Sequence, residues 1–162
     1  MVSVVMPIFN GEKYVEEMLD SLLKQTYRPL QIIVYDDGSR DRSLSVVRRW
    51  SEQQADPEVN IEIYASEINH GLRKATSAAV LYARGTYIFL ADQDDVWLPD
   101  KIAVQVRYME QNADCMACFC RRQIIDADGK LLVSHETIKN PVYRKKMGVG
   151  EVIAKPACFA AN

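Results

Sequence analysis

The sequence predicts an α/β fold, a mostly parallel sheet with helices on both faces. Apolar, β-branched runs alternate along the chain with segments whose apolar residues recur at helical spacing. That alternation marks parallel strands joined by crossover helices. The runs Val2 to Phe9 and Tyr87 to Ala91 are apolar at successive positions, so both faces of those strands are expected to be buried.

The elements follow in order. Val2 to Phe9 is the first strand, broken by Asn10 and Gly11. Tyr14, Val15, Met18, Leu19, Leu22 and Leu23 then keep a helical period, with Glu12, Glu16 and Glu17 at the end where the helix dipole favours carboxylates. Pro29 ends that unit, and Leu30 to Tyr35 is a second strand closed by Asp36-Asp37-Gly38-Ser39. Asp41 is expected to cap the next helix, whose buried stripe is Leu44, Val47 and Trp50. Glu52 to Asn60 reads as a loop, Ile61 to Ala65 as a third strand, and Asn69 to Gly71 as a turn. Leu72 to Ala83 is an Ala-rich helix, with Gly85 as its expected C-cap. Tyr87 to Ala91 is the fourth strand and runs into Asp92-Gln93-Asp94-Asp95. Pro99 opens a helix that continues to about Asn112, and Met116 to Arg121 is a fifth strand. Ile124 to Leu132 reads as a hairpin turning at Asp128-Gly129, and beyond Asn140 no element is assigned.

Composition narrows the function classes. The 162 residues are 48% apolar and 26% charged, which suits one soluble domain. Lys and Arg number 20 against 22 Asp and Glu, a net charge of −2. So balanced a chain offers no global field for nucleic acid or acidic membrane. No stretch approaches the roughly 18 apolar residues of a membrane span, and no signal peptide is visible, which argues for the cytosol. Cys115, Cys118 and Cys120 lie close together and Cys158 apart, without zinc-ligand spacing. They are expected to be free buried thiols behaving as small apolar side chains.

Parallel sheets bind ligands beyond the carboxyl ends of their strands. Three such ends are polar here: Pro7-Ile8-Phe9-Asn10-Gly11, Asp36-Asp37-Gly38-Ser39 and Asp92-Gln93-Asp94-Asp95. Five carboxylates on one rim repel one another, so a cation or a donor-rich ligand should balance them; an oxygen-preferring ion, Mg²⁺ or Mn²⁺, is the economical choice. The plainer reading is that aspartates end strands and cap helices. Asp92 and Asp94, at i and i+2 in an extended turn, are placed to hold one ion, or a ribose plus an ion. An ion there would neutralise a diphosphate leaving group. Neither a Gly-rich dinucleotide fingerprint nor a phosphate loop follows the first strand. The diphosphate is therefore expected to be held through the metal rather than by a helix N-terminus. Trp50 reads as core, Trp97 as core or as a wall beside the bound ligand, and His70 as a loop residue.

Val2 to Asn10 with Gln25-Thr26-Tyr27, then Asp36-Asp37-Gly38-Ser39, Asn69-His70-Gly71, Ala83-Arg84-Gly85-Thr86-Tyr87-Ile88 and Asp92-Gln93-Asp94-Asp95, together resemble a family 2 glycosyltransferase of the GT-A fold. The match in order and spacing runs from residue 2 to about 110. Asp92 to Lys101, with Lys74 upstream, is most similar to the rhamnosyltransferase-like branch that builds bacterial cell-surface polysaccharide. The resemblance implies that Pro7, Phe9 and Asn10 line a nucleotide pocket together with Asp36, Asp37 and Lys74. It implies that Asp37 accepts the N3–H of uracil or thymine, that Asp92 faces the ribose or the metal, and that Asp94 is the principal metal ligand. The family more often carries Arg and Asn where this chain has Thr76 and Ser77.

The implied reaction is metal-dependent, inverting transfer from a UDP- or dTDP-sugar to a polysaccharide or lipid-linked acceptor. A later carboxylate serves as the general base. Residues 1–140 are then the donor-binding domain, and 141–162 the beginning of an acceptor-side region cut short, with the base beyond Asn162. In the full-length enzyme Arg144-Lys145-Lys146 is either a solvated loop or a contact to anionic lipid at the inner membrane face. The apolar stretch Val149 to Phe159 is left to move or to pair with another copy. Two rivals stand beside this reading. One is a nucleotide-binding module without catalysis. The other is a haloacid-dehalogenase-type phosphotransferase, whose Asp-x-Asp signature also fits Asp92 to Val96 but belongs near a domain's start, whereas 91 residues precede Asp92.

Overall fold

The computed structural model describes residues 1–120, 123–126, 129–133 and 158–160. The chain opens with β1 (Val2–Ile8), α1 (Val15–Leu23), β2 (Leu30–Asp36), α2 (Ser43–Glu52) and β3 (Val59–Ala65). It continues through α3 (Leu72–Val80), β4 (Tyr87–Leu90), α4 (Lys101–Gln111) and β5 (Ala117–Cys118), then β6 (Ile124–Ile125), β7 (Leu131–Val133) and β8 (Cys158–Ala160).

The main sheet runs β3-β2-β1-β4-β8-β5. Its first four strands are parallel, with Val2 opposite both Leu30 and Tyr87, while β8 is antiparallel to β4 and β5. Every residue of β1 is buried, as a strand covered on both faces requires. Alternate residues face opposite layers. Val2, Val4, Met6 and Ile8 join the core made with Met18, Leu19 and Leu22 of α1, Val47 and Trp50 of α2, and Ile102 and Val106 of α4. Val5 and Ile33 face the other way, against Ala79 of α3. Among the described residues, helices therefore cover both faces, α1, α2 and α4 on one and α3 on the other.

Several elements differ from expectation. The Leu44 position is only half-buried, and the buried stripe of α2 is Ser43, Val47 and Trp50. The fifth strand shrinks to Ala117–Cys118, and β3 begins two residues early at Val59. The hairpin is present as antiparallel β6 and β7, with Gly129 at φ 75° in its turn; Asp128 lies outside the described residues. Cys118 is buried, and that burial pushes its thiol pKa up, whereas Cys115 is half-buried and Cys120 exposed. Strand β8 had no periodic signal, because three residues cannot show one. The rest of 141–162, including Arg144-Lys145-Lys146, lies outside the described residues.

The largest correction concerns Gly85. Helix α3 ends at Val80, and its last turn tightens through Leu81 N to Ala78 O (3.3 Å), Tyr82 N to Ala79 O (3.1 Å) and Ala83 N to Val80 O (3.0 Å). Gly85 is thus no C-cap. Its backbone lies against β1, where a Cβ would collide with the Ser3 amide nitrogen. Gly85 N and Arg84 N both donate to the buried Ser3 Oγ, at 2.7 and 3.1 Å, and Ser3 Oγ donates to Gln31 Oε1 at 2.6 Å. Gln31 passes the network on to Glu62, which also pairs with Arg84. A satisfied polar cluster thus closes the amino-terminal end of the sheet beneath α3.

Gly85→Ala should lower unfolding stability by about 1–3 kcal/mol, the usual range for overpacking. Urea denaturation checks this; an unchanged or raised midpoint would restore the helix-cap reading.

Candidate active site

The carboxyl ends of β1, β2 and β4 meet at one place. After β1, Asn10 takes a left-handed conformation (φ 49°), which Asn tolerates better than most residues. It is held there from the β2–α2 loop: Asn10 N donates to Ser39 Oγ and Arg40 N donates to Asn10 Oδ1, both at 2.9 Å. Gly11 N donates to Ser43 Oγ (2.7 Å), and Glu12 N donates to Asp41 Oδ2 (3.1 Å). Asp41 also accepts from Ser43 N at 2.9 Å and Ser43 Oγ at 2.5 Å, so it serves the first turn of α2 from one residue before the N-cap position, Arg42. Burial raises the Asp41 pKa, but these hydrogen bonds outweigh it and hold the carboxyl below its ordinary value.

At the end of β2 both aspartates are buried, Asp36 at 3% and Asp37 at 2% exposure. Asp36 Oδ2 accepts from Ser39 N at 3.2 Å, closing the turn. Asp37 reaches across to the loop before α3. Its carboxylate accepts from His70 N (3.0 and 3.1 Å) and Gly71 N (2.8 Å). Gly38, at φ 74° with its Cα packed on Ile68 and Asn69 backbone, permits that close approach.

After β4, Asp95 N donates to Asp92 O (3.3 Å), so Asp92 to Asp95 form a tight turn rather than an extended one. The next segment is fastened to α1. Buried Gln25 donates to Leu98 O (2.8 Å) and accepts from Ile102 N (3.1 Å), while Trp97 N donates to Ser21 Oγ (3.1 Å). Trp97 is 5% exposed, packs on Phe89 at 5.9 Å between ring centroids, and carries the Lys101 ammonium 3.4 Å above its ring. It is core, not a wall of the site.

Between these strand ends lies a cleft of about 540 Å³ lined by Pro7, Ile8 and Phe9, by Asp37, by Asn69, Gly71, Leu72 and Ala75, and by Asp92, Gln93 and Asp94. It sits between β1 and β4, where the strand order reverses, the usual ligand position in open α/β sheets. Of the residues expected at the site, Pro7, Phe9, Asp37, Asp92 and Asp94 share the cleft. Asp36, Asn10 and Lys74 are not among its lining residues: Asp36 shapes the turn, Asn10 binds the neighbouring loop, and Lys74 is exposed on the first turn of α3. Residues unnoticed in sequence are Gln93, whose amide meets the Phe9 backbone, and Ser43, buried beneath Gly11. Both contacts join residues far apart in the chain, so no local pattern announces them.

Among the described residues, no three His, Cys, Asp or Glu side chains converge into a self-sufficient metal cage. Asp92 and Asp94 nevertheless bring hard oxygen donors to one cleft, a set that suits Mg²⁺ or Mn²⁺ when a bound diphosphate supplies further oxygens.

Fold and cleft together define an α/β protein with a ligand site at its topological switch point. Comparison with known proteins gives the class. The chain matches Glycosyl transferase family 2 over residues 3–161 and belongs to that family. It is 32% identical over 112 residues to the UDP-Glc:alpha-D-GlcNAc-diphosphoundecaprenol beta-1,3-glucosyltransferase WfgD of Escherichia coli, covering 69% of this chain and 42% of that protein. Among solved structures it resembles the mannosyltransferase PcManGT of Pyrobaculum calidifontis in complex with GDP-Man and Mn²⁺ (TM-score 0.68, 29% identity, 74% of this chain and 35% of that one). It also resembles TarS residues 1–349 of S. aureus in complex with UDP (TM-score 0.62, 27% identity, 69% and 32%). The fold is GT-A, and the chain spans less than half the length of these relatives.

Because the Asp41 pKa is lower folded than unfolded, its stabilising contribution is present above the ordinary aspartate pKa and lost as pH falls through the folded value. Asp41→Asn should cost about 1 kcal/mol at neutral pH, and its deficit against the wild type should close below about pH 4. Denaturant titrations across pH measure this; a deficit that stays constant into acid would remove the carboxylate's role.

Proposed function

We propose that this chain carries the donor half of a metal-dependent glycosyltransferase that moves a sugar from a UDP- or dTDP-sugar to a glycan or lipid-linked acceptor. One observation carries the reading: a buried acceptor-only carboxylate, Asp37, and two exposed ones, Asp92 and Asp94, line a single cleft with Pro7 and Phe9. The nucleobase lies on the β1 side, against Pro7 and Phe9. Asp37 accepts the N3–H of uracil or thymine with lone pairs left over from the His70 and Gly71 amides; cytosine and adenine offer no N–H at the matching position. Asp92 faces the ribose and the ion, and Asp94 is the principal ion ligand. Asp36, Asn10 and Lys74 act around the nucleotide: the first two shape the loops that frame it, and Lys74 offers a cation at the first turn of α3.

In transfer, an acceptor hydroxyl oxygen forms a bond to the anomeric carbon on the face opposite the diphosphate. The anomeric C–O bond breaks with its electron pair leaving on the diphosphate, and the hydroxyl proton passes to a carboxylate base, giving inversion. A divalent ion, Mn²⁺ or Mg²⁺, held by Asp94 and Asp92 supplies positive charge where the leaving diphosphate becomes more negative. We assign that base to no described residue. Support for the acceptor comes from the Escherichia coli relative, named for a diphosphoundecaprenol-linked substrate. Support for the ion comes from the Pyrobaculum enzyme, solved with Mn²⁺. The rhamnosyltransferase-like stretch Asp92 to Lys101 keeps dTDP-sugars beside UDP-sugars as donors. No helix among the described residues is long and apolar enough to cross a membrane. We place transfer in the cytoplasm, at the inner membrane face where a lipid-linked acceptor presents its sugar.

A thermal-shift panel tests the reading. UDP or dTDP with Mn²⁺, at about 100 times Kd, should raise the midpoint by roughly 5–10 °C. ADP should not match them, and EDTA should remove most of the gain. Asp94→Asn should keep the unliganded midpoint and lose the metal-dependent gain. Equal shifts with and without metal would overturn the role given to Asp92 and Asp94; an equal shift by ADP would overturn that of Asp37.

A further inference from the structure

Between the two cleft aspartates stands a residue with a different task. Gln93 Oε1 accepts from Phe9 N at 2.9 Å, and Gln93 Nε2 donates to Phe9 O at 3.1 Å. Both polar ends of one carboxamide are thus spent on both backbone groups of one residue, 84 positions away in the chain. Phe9 follows the last residue of β1, beyond the ladder that pairs Val2 to Val5 with β4. The amide therefore prolongs the β1–β4 pairing past the point where the ladder stops, in the manner of a missing strand residue.

A second observation points the same way. Gly11 lies against this amide so closely that a Cβ there would overlap its oxygen, carbon and nitrogen. Gly11 has no positive φ to explain its lack of a side chain. What it yields is room for Gln93. Only a neutral group that both donates and accepts completes this pairing. A carboxylate would face the Phe9 carbonyl without a proton and add charge between Asp92 and Asp94.

We infer that Gln93 is a positioning residue that locks the Asp92–Asp95 turn to the nucleobase wall, so that ion binding at Asp92 and Asp94 and nucleotide binding at Pro7 and Phe9 reinforce each other. The inference rests on the proposed ion and nucleotide site. Residues 92 and 94 flank the anchored residue in a four-residue turn, so the amide ties the segment that carries both carboxylates directly to Phe9. Binding one partner then arranges the groups for the other, which is a reciprocal coupling.

The test is calorimetry of UDP with the 162-residue chain, in EDTA and in Mn²⁺, for wild type, Gln93→Met and Gly11→Ala. The quantity read is the ratio of the two affinities. Gln93→Met keeps the side chain's length and removes its hydrogen bonds; Gly11→Ala keeps the amide and displaces it. Wild type should bind UDP at least tenfold more tightly with Mn²⁺, and both variants should lose most of that ratio. An undiminished ratio in Gln93→Met overturns the inference while leaving the ion site intact. If Gln93→Met fails to fold, as judged by its circular dichroism, the ratio in Gly11→Ala decides in the same way. A wild-type ratio near one overturns the ion site itself and the inference with it.

Discussion

The site depends on β1 being paired in parallel on both sides, with β2 on one flank and β4 on the other. Because the chain winds outward through β2 and β3 and then returns to β4, no crossover covers the carboxyl end of β1. A crevice opens there by topology alone. What lines it arrives at the end of a strand, in the loop before α3 or in the first turn of α3, and these segments bring backbone groups that the sheet does not pair.

Those groups are satisfied by side chains from neighbouring loops, and this shapes the crevice. Ser43 and Asp41 take the amides of Gly11 and Glu12; Asp37 takes those of His70 and Gly71; Gln93 takes both groups of Phe9. Leaving the buried Gly11 amide orphaned would cost about 1–3 kcal/mol, and its bond, with the part-buried bonds of the Glu12, His70 and Gly71 amides, fixes the loops in one arrangement. Asp92 and Asp94, both exposed, line the same cleft two positions apart in the chain. In the proposed function a cation bound there offsets the like charge of the two carboxylates and of a diphosphate together. Far from the site, the Ser3, Gln31 and Glu62 cluster closes the opposite end of the sheet, whereas at the cleft end the buried Asp36 Oδ1 has no hydrogen-bond partner among the described residues.

Much of this was legible in sequence. The run of β1, apolar but for Ser3, announced a strand buried on both faces, and the aspartate clusters after β2 and β4 announced a polar rim, because strand burial and strand termination are local properties. What escaped were contacts between residues distant in the chain. Gly85 looked like a helix cap, yet its reason is Ser3, which sits 82 positions earlier. Asp37 looked like a free acceptor, yet it already serves two amides in the loop before α3. Gln93 carries no signal of its own in sequence, because its partner Phe9 lies 84 positions away. Leu44 and Cys120 are expected inside because they are apolar, but Leu44 sits one position off the buried Ser43, Val47 and Trp50 face of α2, and Cys120 lies past the end of β5.

In the proposed function two carboxylates and a diphosphate complete one ion site together. Water-proton relaxation measures it directly, since Mn²⁺ enhances relaxation more strongly when it tumbles with the protein. Enhancement should be weak for Mn²⁺ with the protein alone and for Mn²⁺ with UDP alone, strong when all three are mixed, and reduced to the background of the pairs in Asp92→Asn/Asp94→Asn. Full enhancement without nucleotide, or enhancement untouched by the double substitution, would contradict it.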